Sequence, residues 1–167
     1  PEKILAVTFT NKAAKEMREK VIAEIEKNIS GQDTIPFVST FHSLGVHIIK
    51  ENARALGLTK YFTILDEDDA KKMIKDTLKE LGFDPKEHPP NKIKAIISSE
   101  KGKFTSLERY KEAVQGVFQE LVANVWQIYE DKKRKENSLD FDDLLLKSTK
   151  LLKENEQIRK LYQEKWD

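Results

Sequence analysis

Apolar positions along this chain follow two periods, one after the other. Ile4 to Phe9 is a nearly continuous apolar run, the pattern of a strand buried on both faces of a parallel sheet. Ala14, Met17, Val21 and Ile25 then recur at helical spacing until the polar stretch Asn28 to Asp33 interrupts them. Pro36 to Thr40 reads as a second strand, and Phe41 to Leu56 as a second helix stopped by Gly57. Strand, helix, strand and helix in that order predict a parallel sheet with right-handed crossovers.

Beyond the short run Tyr61 to Leu65 the period is helical throughout. Asp66 is placed to cap a helix whose stripe is Ala70, Met73, Ile74, Thr77, Leu78 and Leu81, with Gly82 as its stop. Pro89-Pro90 opens the next, turning Ile93, Ile96 and Ile97 inward and closing at Gly102. Thr105 with Glu108 is a capping-box signature ahead of the longest helix, where Tyr110, Val114, Val117, Phe118, Leu121, Val122, Val125 and Ile128 keep the period. These three helices are expected to form a self-contained bundle over residues 66–138. Strand periodicity ends at the first boundary, and Glu136-Asn137-Ser138 breaks the pattern at the second. The fold class is therefore α/β, a parallel sheet with an inserted, mainly helical subdomain.

Charge narrows the choice of ligand. The 167 residues carry 30 Lys and Arg against 29 Asp and Glu, a net charge of +1, so nucleic-acid binding has to come from local patches rather than an overall field. Lys101-Gly102-Lys103 is the favoured patch, while Lys132-Lys133-Arg134-Lys135 reads as a solvated helix end suited to the dipole. No apolar run reaches the ~20 residues of a bilayer span, so no membrane partner is expected. The absence of cysteine excludes disulfides and thiolate metal sites, and with no secretion leader at Pro1-Glu2-Lys3 a cytoplasmic location is the expectation.

The chemistry concentrates at two strand-to-helix corners, Thr8-Phe9-Thr10-Asn11-Lys12 and Ser39-Thr40-Phe41-His42-Ser43. Ligands of open α/β sheets bind at such corners, where helix-start N–H groups suit phosphate oxygens and a neighbouring ring can stack on a base. The same residues also suit plainer roles, Thr10 or Asn11 as an N-cap and Phe9 as a core ring. His42 and His47, five apart, do not share a helix face as i, i+4 ligands would, so no metal site is expected. Asp140, Asp142 and Asp143 at a helix start are accounted for by dipole and capping, and Trp126 and Trp166 read as core or insert-surface aromatics.

In order along the chain these segments resemble one family. Ile4 to Arg18 resembles motif Ia of the UvrD/PcrA/Rep DNA helicases of superfamily 1, and Ser39 to Ser43 resembles their motif Ib. Phe62-Thr63-Ile64-Leu65-Asp66, Pro89-Pro90 ahead of Ile93, and Ser138-Leu139-Asp140-Phe141-Asp142-Asp143-Leu144-Leu145 follow in the family's order. No G-x-x-x-x-G-K-[ST] loop is present, since none of the six glycines precedes Ser30. In the family that loop lies just before motif Ia, and the acidic Mg²⁺-binding strand comes just after a segment like Leu161 to Asp167.

The resemblance thus implies a fragment between the Walker A and Walker B motifs of a RecA-like P-loop NTPase. Residues 1–65 and 139–167 would belong to motor subdomain 1A and residues 66–138 to helical subdomain 1B. The parent would be an ATP- and Mg²⁺-dependent 3′ to 5′ DNA helicase of a family with repair, replication-restart and plasmid-replication members. This chain alone would hold no cofactor, metal or catalytic residue and show neither ATPase nor unwinding, because phosphoryl transfer needs phosphates, metal and water positioned together. Carried over from motif Ia, Phe9 would contact a base of single-stranded DNA, with Thr8, Thr10, Asn11 and Lys12 adjoining. Thr40, Phe41 and His42 would bind the strand from motif Ib, with His42 placed to bond a phosphate or stack on a base, its plainer alternative being a helix-start residue bonded within the motor domain. Lys101 and Lys103, with Lys94 and Arg109, would lie near incoming duplex, and the acids of 139–145 would be structural or DNA-proximal. Expected partners are single-stranded DNA, the duplex junction and the remaining helicase domains. Sheet edges lacking the strands of the two nucleotide motifs would favour self-association. The alternatives are a nucleotide-independent module that binds single-stranded DNA or a protein, and a scaffold without activity.

Overall fold

The computed structural model describes residues 2–28 and 35–166. The polar interruption read at residues 28–33 lies, from 29 on, outside the described residues. In chain order the elements are β1 (Leu5–Thr8), α1 (Asn11–Asn28), β2 (Phe37–Thr40), α2 (Phe41–Glu51), a 3-10 turn (Ala53–Leu56), β3 (Thr63–Ile64) and α3 (Glu67–Glu80). They continue with α4 (Pro90–Gly102), α5 (Leu107–Glu112), α6 (Val117–Lys135), β4 (Ser138–Leu139), α7 (Phe141–Glu154) and α8 (Glu156–Lys165). Two compact units result, one of Pro1–Asn52 with Lys147–Asp167 and one of Ala53–Leu146. The second takes in both short strands β3 and β4, which pair with each other in parallel.

In the first unit β1 and β2 are parallel neighbours with Leu5 opposite Phe37 and Thr8 opposite Thr40. This is the parallel pairing the alternation of periods predicts. The expected burial of the first strand on both faces is corrected, because all four β1 side chains are only half-buried. Among the described residues its sheet has two strands, so β1 is covered on fewer sides than a central strand. The second helix also ends earlier than the pattern suggests, at Glu51, and gives way to the 3-10 turn before Gly57 takes φ +67°. Arg18 Nη2 donates to the Val38 carbonyl at 2.7 Å, tying α1 to β2. At α8, Tyr162 donates to Glu51 at 2.6 Å and accepts from Asn52 Nδ2 at 3.0 Å, while Trp166 packs 5.3 Å from the Phe37 ring.

The second unit is built on the helical stripes. Ala70, Ile74 and Leu78 of α3, Ile93 and Ile97 of α4, and Leu121, Val122, Val125, Trp126 and Tyr129 of α6 make one buried cluster. Each fully buried aliphatic side chain in it contributes about 1.5–3 kcal/mol. Asp66 caps α3 by accepting from the N–H groups of Asp68 and Asp69 at 2.9 and 2.8 Å, and Gly82 ends it at φ +80°. The single long helix read from Tyr110 to Ile128 is instead two. Ser106, not Thr105, caps the short α5, and the chain breaks before Gly116, which stands extended at the start of α6. The apolar period runs through this break because Tyr110 and Phe118 both pack on the same core, on either side of a bend.

The stop of α4 also differs. Gly102 is its last helical residue, and the left-handed position falls on Phe104, at φ +59°. That turn is closed by Phe104 N–H to the Lys101 carbonyl at 2.9 Å and Thr105 N–H to the Glu100 carbonyl at 3.0 Å. A bulky residue there carries about 1–2 kcal/mol of strain. Since Phe104 is also 56% exposed, Phe104→Gly is expected to stabilise the protein by about 1 kcal/mol. The check is a raised urea midpoint at unchanged slope.

Candidate nucleic-acid interface

Parallel pairing in register brings the two corners side by side. With Thr8 opposite Thr40, the next residues, Phe9 and Phe41, emerge together at the carboxyl edge of the strands. Their ring centroids lie 5.2 Å apart with planes tilted by 46°. Phe9 is 85% exposed and Phe41 39% exposed, so the core role open to Phe9 is not the one it takes. A phenyl ring turned to water at a helix-start corner is costly for folding alone and well placed to receive a flat apolar partner.

The hydroxyls take the plainer role. Thr10 is the N-cap of α1, its Oγ1 accepting from Ala13 N–H at 3.1 Å and its carbonyl from Ala14 N–H at 2.9 Å. Thr40, buried, caps α2 by accepting from Ser43 N–H at 3.2 Å, and its hydroxyl lies 2.9 Å from that of Ser43. Both caps fix the direction in which each helix leaves its strand, and hence where each ring stands. Asn11 and Lys12 are exposed on the first turn of α1, and Lys12 faces Glu16 at 4.0 Å. Thr8 and His42 are half-buried. His47 lies against Glu51 at 3.3 Å and Lys165 at 3.2 Å. The two corners of the first unit thus carry Phe9, Thr10, Asn11 and Lys12 on one side and Phe41 and His42 on the other, joined by the contact of the Phe9 and Phe41 rings.

The lysines expected on the surface of the insert divide differently. Lys103 is exposed and pairs with Glu100 at 2.8 Å. Lys101 is corrected: it is 4% exposed, with Nζ 2.7 Å from Glu130, 2.9 Å from Asp143 and 3.4 Å from Asp140. Lys94 is buried as well, 2.6 Å from Asp142. Lys133, read as part of a solvated tail, is 2% exposed and bridges Glu130, Asp140 and Asp143. An ammonium enclosed by carboxylates has no free charge to offer a phosphate, so these three belong to the fold and not to a ligand surface.

The acids of residues 140–143 find their role there. Asp143 N–H donates to Asp140 Oδ1 at 2.8 Å and Asp140 N–H to Asp143 Oδ2 at 3.2 Å, a reciprocal cap at the start of α7. Tyr129 donates to Asp140 at 2.9 Å. Burial pushes the Asp140 carboxyl upward, but Lys101, Lys133, Lys94 and the Asp143 N–H outweigh it and hold Asp140 below its ordinary value. Burial likewise pulls the Lys101 ammonium down, yet Asp143, Asp140 and Glu130 hold it well above the lysine range. Lys94, Ser98 and Lys101 sit at i, i+4 and i+7 beside the apolar stripe of α4, a spacing that could have flagged a polar face turned inward.

A parallel α/β sheet whose strand ends present this surface, interrupted by a mainly helical insertion, is a partial RecA-like P-loop fold. The chain belongs to the UvrD/Rep helicase family: the family described as UvrD/REP helicase N-terminal domain matches residues 1–167. Among individual relatives, it is 39% identical over 166 residues to the ATP-dependent DNA helicase PcrA of Bacillus subtilis (strain 168), covering 99% of this chain. It is 35% identical over 167 residues to the PcrA helicase of Leuconostoc citreum, covering 100% of this chain. To that of Staphylococcus aureus (strain Mu50) it is 36% identical over 167 residues, covering 99%. The chain spans 22% of the length of each of these relatives.

Proposed function

We propose that this chain supplies the single-stranded DNA contacts of an ATP-dependent 3′ to 5′ DNA helicase of the UvrD/PcrA/Rep type, working in the cytoplasm. Residues 1–65 and 139–167 would be part of motor subdomain 1A and residues 66–138 its helical insertion 1B. The observation that carries the reading is the exposed Phe9 ring beside Phe41 at the carboxyl edge of β1 and β2. The ring offers a face for a base, while Lys12 and the adjoining helix starts supply polar groups for the backbone. Thr8, Thr10 and Thr40 position these groups, and His42 lies on the same corner. Nucleotide chemistry is not carried by these residues. With no phosphate-cradling G-x-x-x-x-G-K-[ST] loop in the sequence, ATP and Mg²⁺ are cofactors of the parent helicase, and this chain alone neither hydrolyses ATP nor unwinds DNA. Its partners are single-stranded DNA, the duplex junction next to the exposed Lys103, and the remaining helicase domains.

The test is fluorescence anisotropy of a labelled oligo-dT across a salt series. Binding is expected to weaken as salt rises, by release of counterions from neutralised phosphates. Phe9→Ala is expected to weaken it by about 1–3 kcal/mol, the cost of losing one stacked base. A variant that binds oligo-dT as tightly as the parent sequence would overturn this assignment of Phe9.

A further inference from the structure

Phe41 differs from Phe9 in a way their matching places after Thr8 and Thr40 do not suggest. The two rings are each other's neighbours because Thr8 and Thr40 are paired in register and each is followed by phenylalanine. At 5.2 Å between centroids and 46° between planes they are in direct contact. A base inserted between them would need parallel rings about 7 Å apart, two van der Waals spacings of about 3.5 Å. The pair is therefore not a slot. One ring, 85% exposed, presents a free face, and the other, 39% exposed, stands against it as the first residue of α2, next to the buried cap Thr40.

We infer that Phe41 is a positioning residue, a prop that holds the Phe9 ring in the orientation a base stacks on, and that it acts through Phe9 without touching the strand itself. This rests on the DNA-contacting reading of Phe9. An exposed phenylalanine with no neighbour samples several rotamers, and ordering it at the moment of binding costs affinity. Tilted contact with a ring anchored on a capped helix start removes that cost beforehand. The ligand class that gains is a single strand with unpaired bases, since only a base face uses the oriented ring.

The test is a double-mutant cycle on oligo-dT anisotropy with Phe9→Ala, Phe41→Leu and the pair, with Phe41→Tyr as the conservative variant. Phe41→Leu is expected to weaken binding about two- to tenfold, the cost of ordering one side chain. In the Phe9→Ala background it should add nothing, and Phe41→Tyr should bind as the parent does. A further loss of the same size in that background would make Phe41 an independent contact and overturn the prop. Loss on Phe9→Ala with none on Phe41→Leu would also overturn the prop while leaving the DNA-contacting reading intact. No binding by the unsubstituted chain would overturn that reading, and the prop with it. A second measurement needs no substitution: side-chain NMR couplings of Phe9 in the unliganded chain are expected to report one χ1 rotamer. Averaging over several would overturn the prop even if every Phe41 variant failed to fold.

Discussion

Lys133→Met is expected to cost about 3–5 kcal/mol of stability, far more than a lysine near a helix end normally would. Its ammonium lies 2.5 Å from Asp143, 3.0 Å from Glu130 and 3.3 Å from Asp140, and 4.6 Å from the centre of the Tyr129 ring. Removing it leaves Glu130, Asp140 and Asp143 to share Lys101, with Lys94 3.8 Å from Asp140, and Asp140 and Asp143 almost wholly out of water. The surviving acids, not the missing contact, set the magnitude. Lys103→Met is the control: its side chain is 64% exposed, and the change should stay within about 0.5 kcal/mol. Urea unfolding of the three proteins decides it, and equal midpoints for the two variants would show that the cluster does not hold the fold.

The same cluster sets a pH dependence with a definite sign. Asp140 and Glu130 are held below their ordinary values despite burial, by Lys101 and Lys133. Their contribution is therefore complete above the unfolded carboxylate pKa of about 4 and is lost as pH falls through the folded values. Lys101 is shifted upward, so its contribution is complete below the unfolded lysine pKa of about 10.4 and fades only in stronger alkali. In Lys133→Met the carboxylates keep less of their counter-charge, and acid unfolding should begin nearer neutrality.

Trp126→Ala is expected to cost about 3–5 kcal/mol by opening a cavity in the helical core. The indole is 3% exposed, sits in the cluster with Ile97 and Val122, and meets the Tyr110 ring edge-on at 5.6 Å. Tyr110 belongs to α5, a six-residue helix with no buried residue of its own. Such a helix is too short to persist without tertiary contacts. Beyond the global loss seen in urea, amide exchange over Leu107–Glu112 should speed up relative to α3. Unchanged protection there would mean that α5 is held by something other than this ring pair.

What the sequence made legible follows from how local each signal is. Both corners, the Asp66 cap, the Gly82 stop and the inward face of α4 could be read because each rests on residues within a turn or two of one another. The break between α5 and α6 escaped because Tyr110, Val114, Val117 and Phe118 keep a helical period through it, with Gly116 as the one local mark. The buried lysines escaped for another reason. Lys94 and Lys101 meet acids 48 and 42 positions downstream, and composition alone places lysine outside. The exposure of Phe9 was equally hidden, since a phenylalanine ending an apolar run looks the same whether it turns inward or out.

The matched register of β1 and β2 restricts which changes of length the chain can absorb. Side chains alternate faces along a strand, so adding or removing one residue within Leu5–Phe9 or Phe37–Phe41 would send one phenyl to the opposite side and part the two rings. The spacing from each strand to its phenylalanine is therefore the part of the sequence that has to be counted.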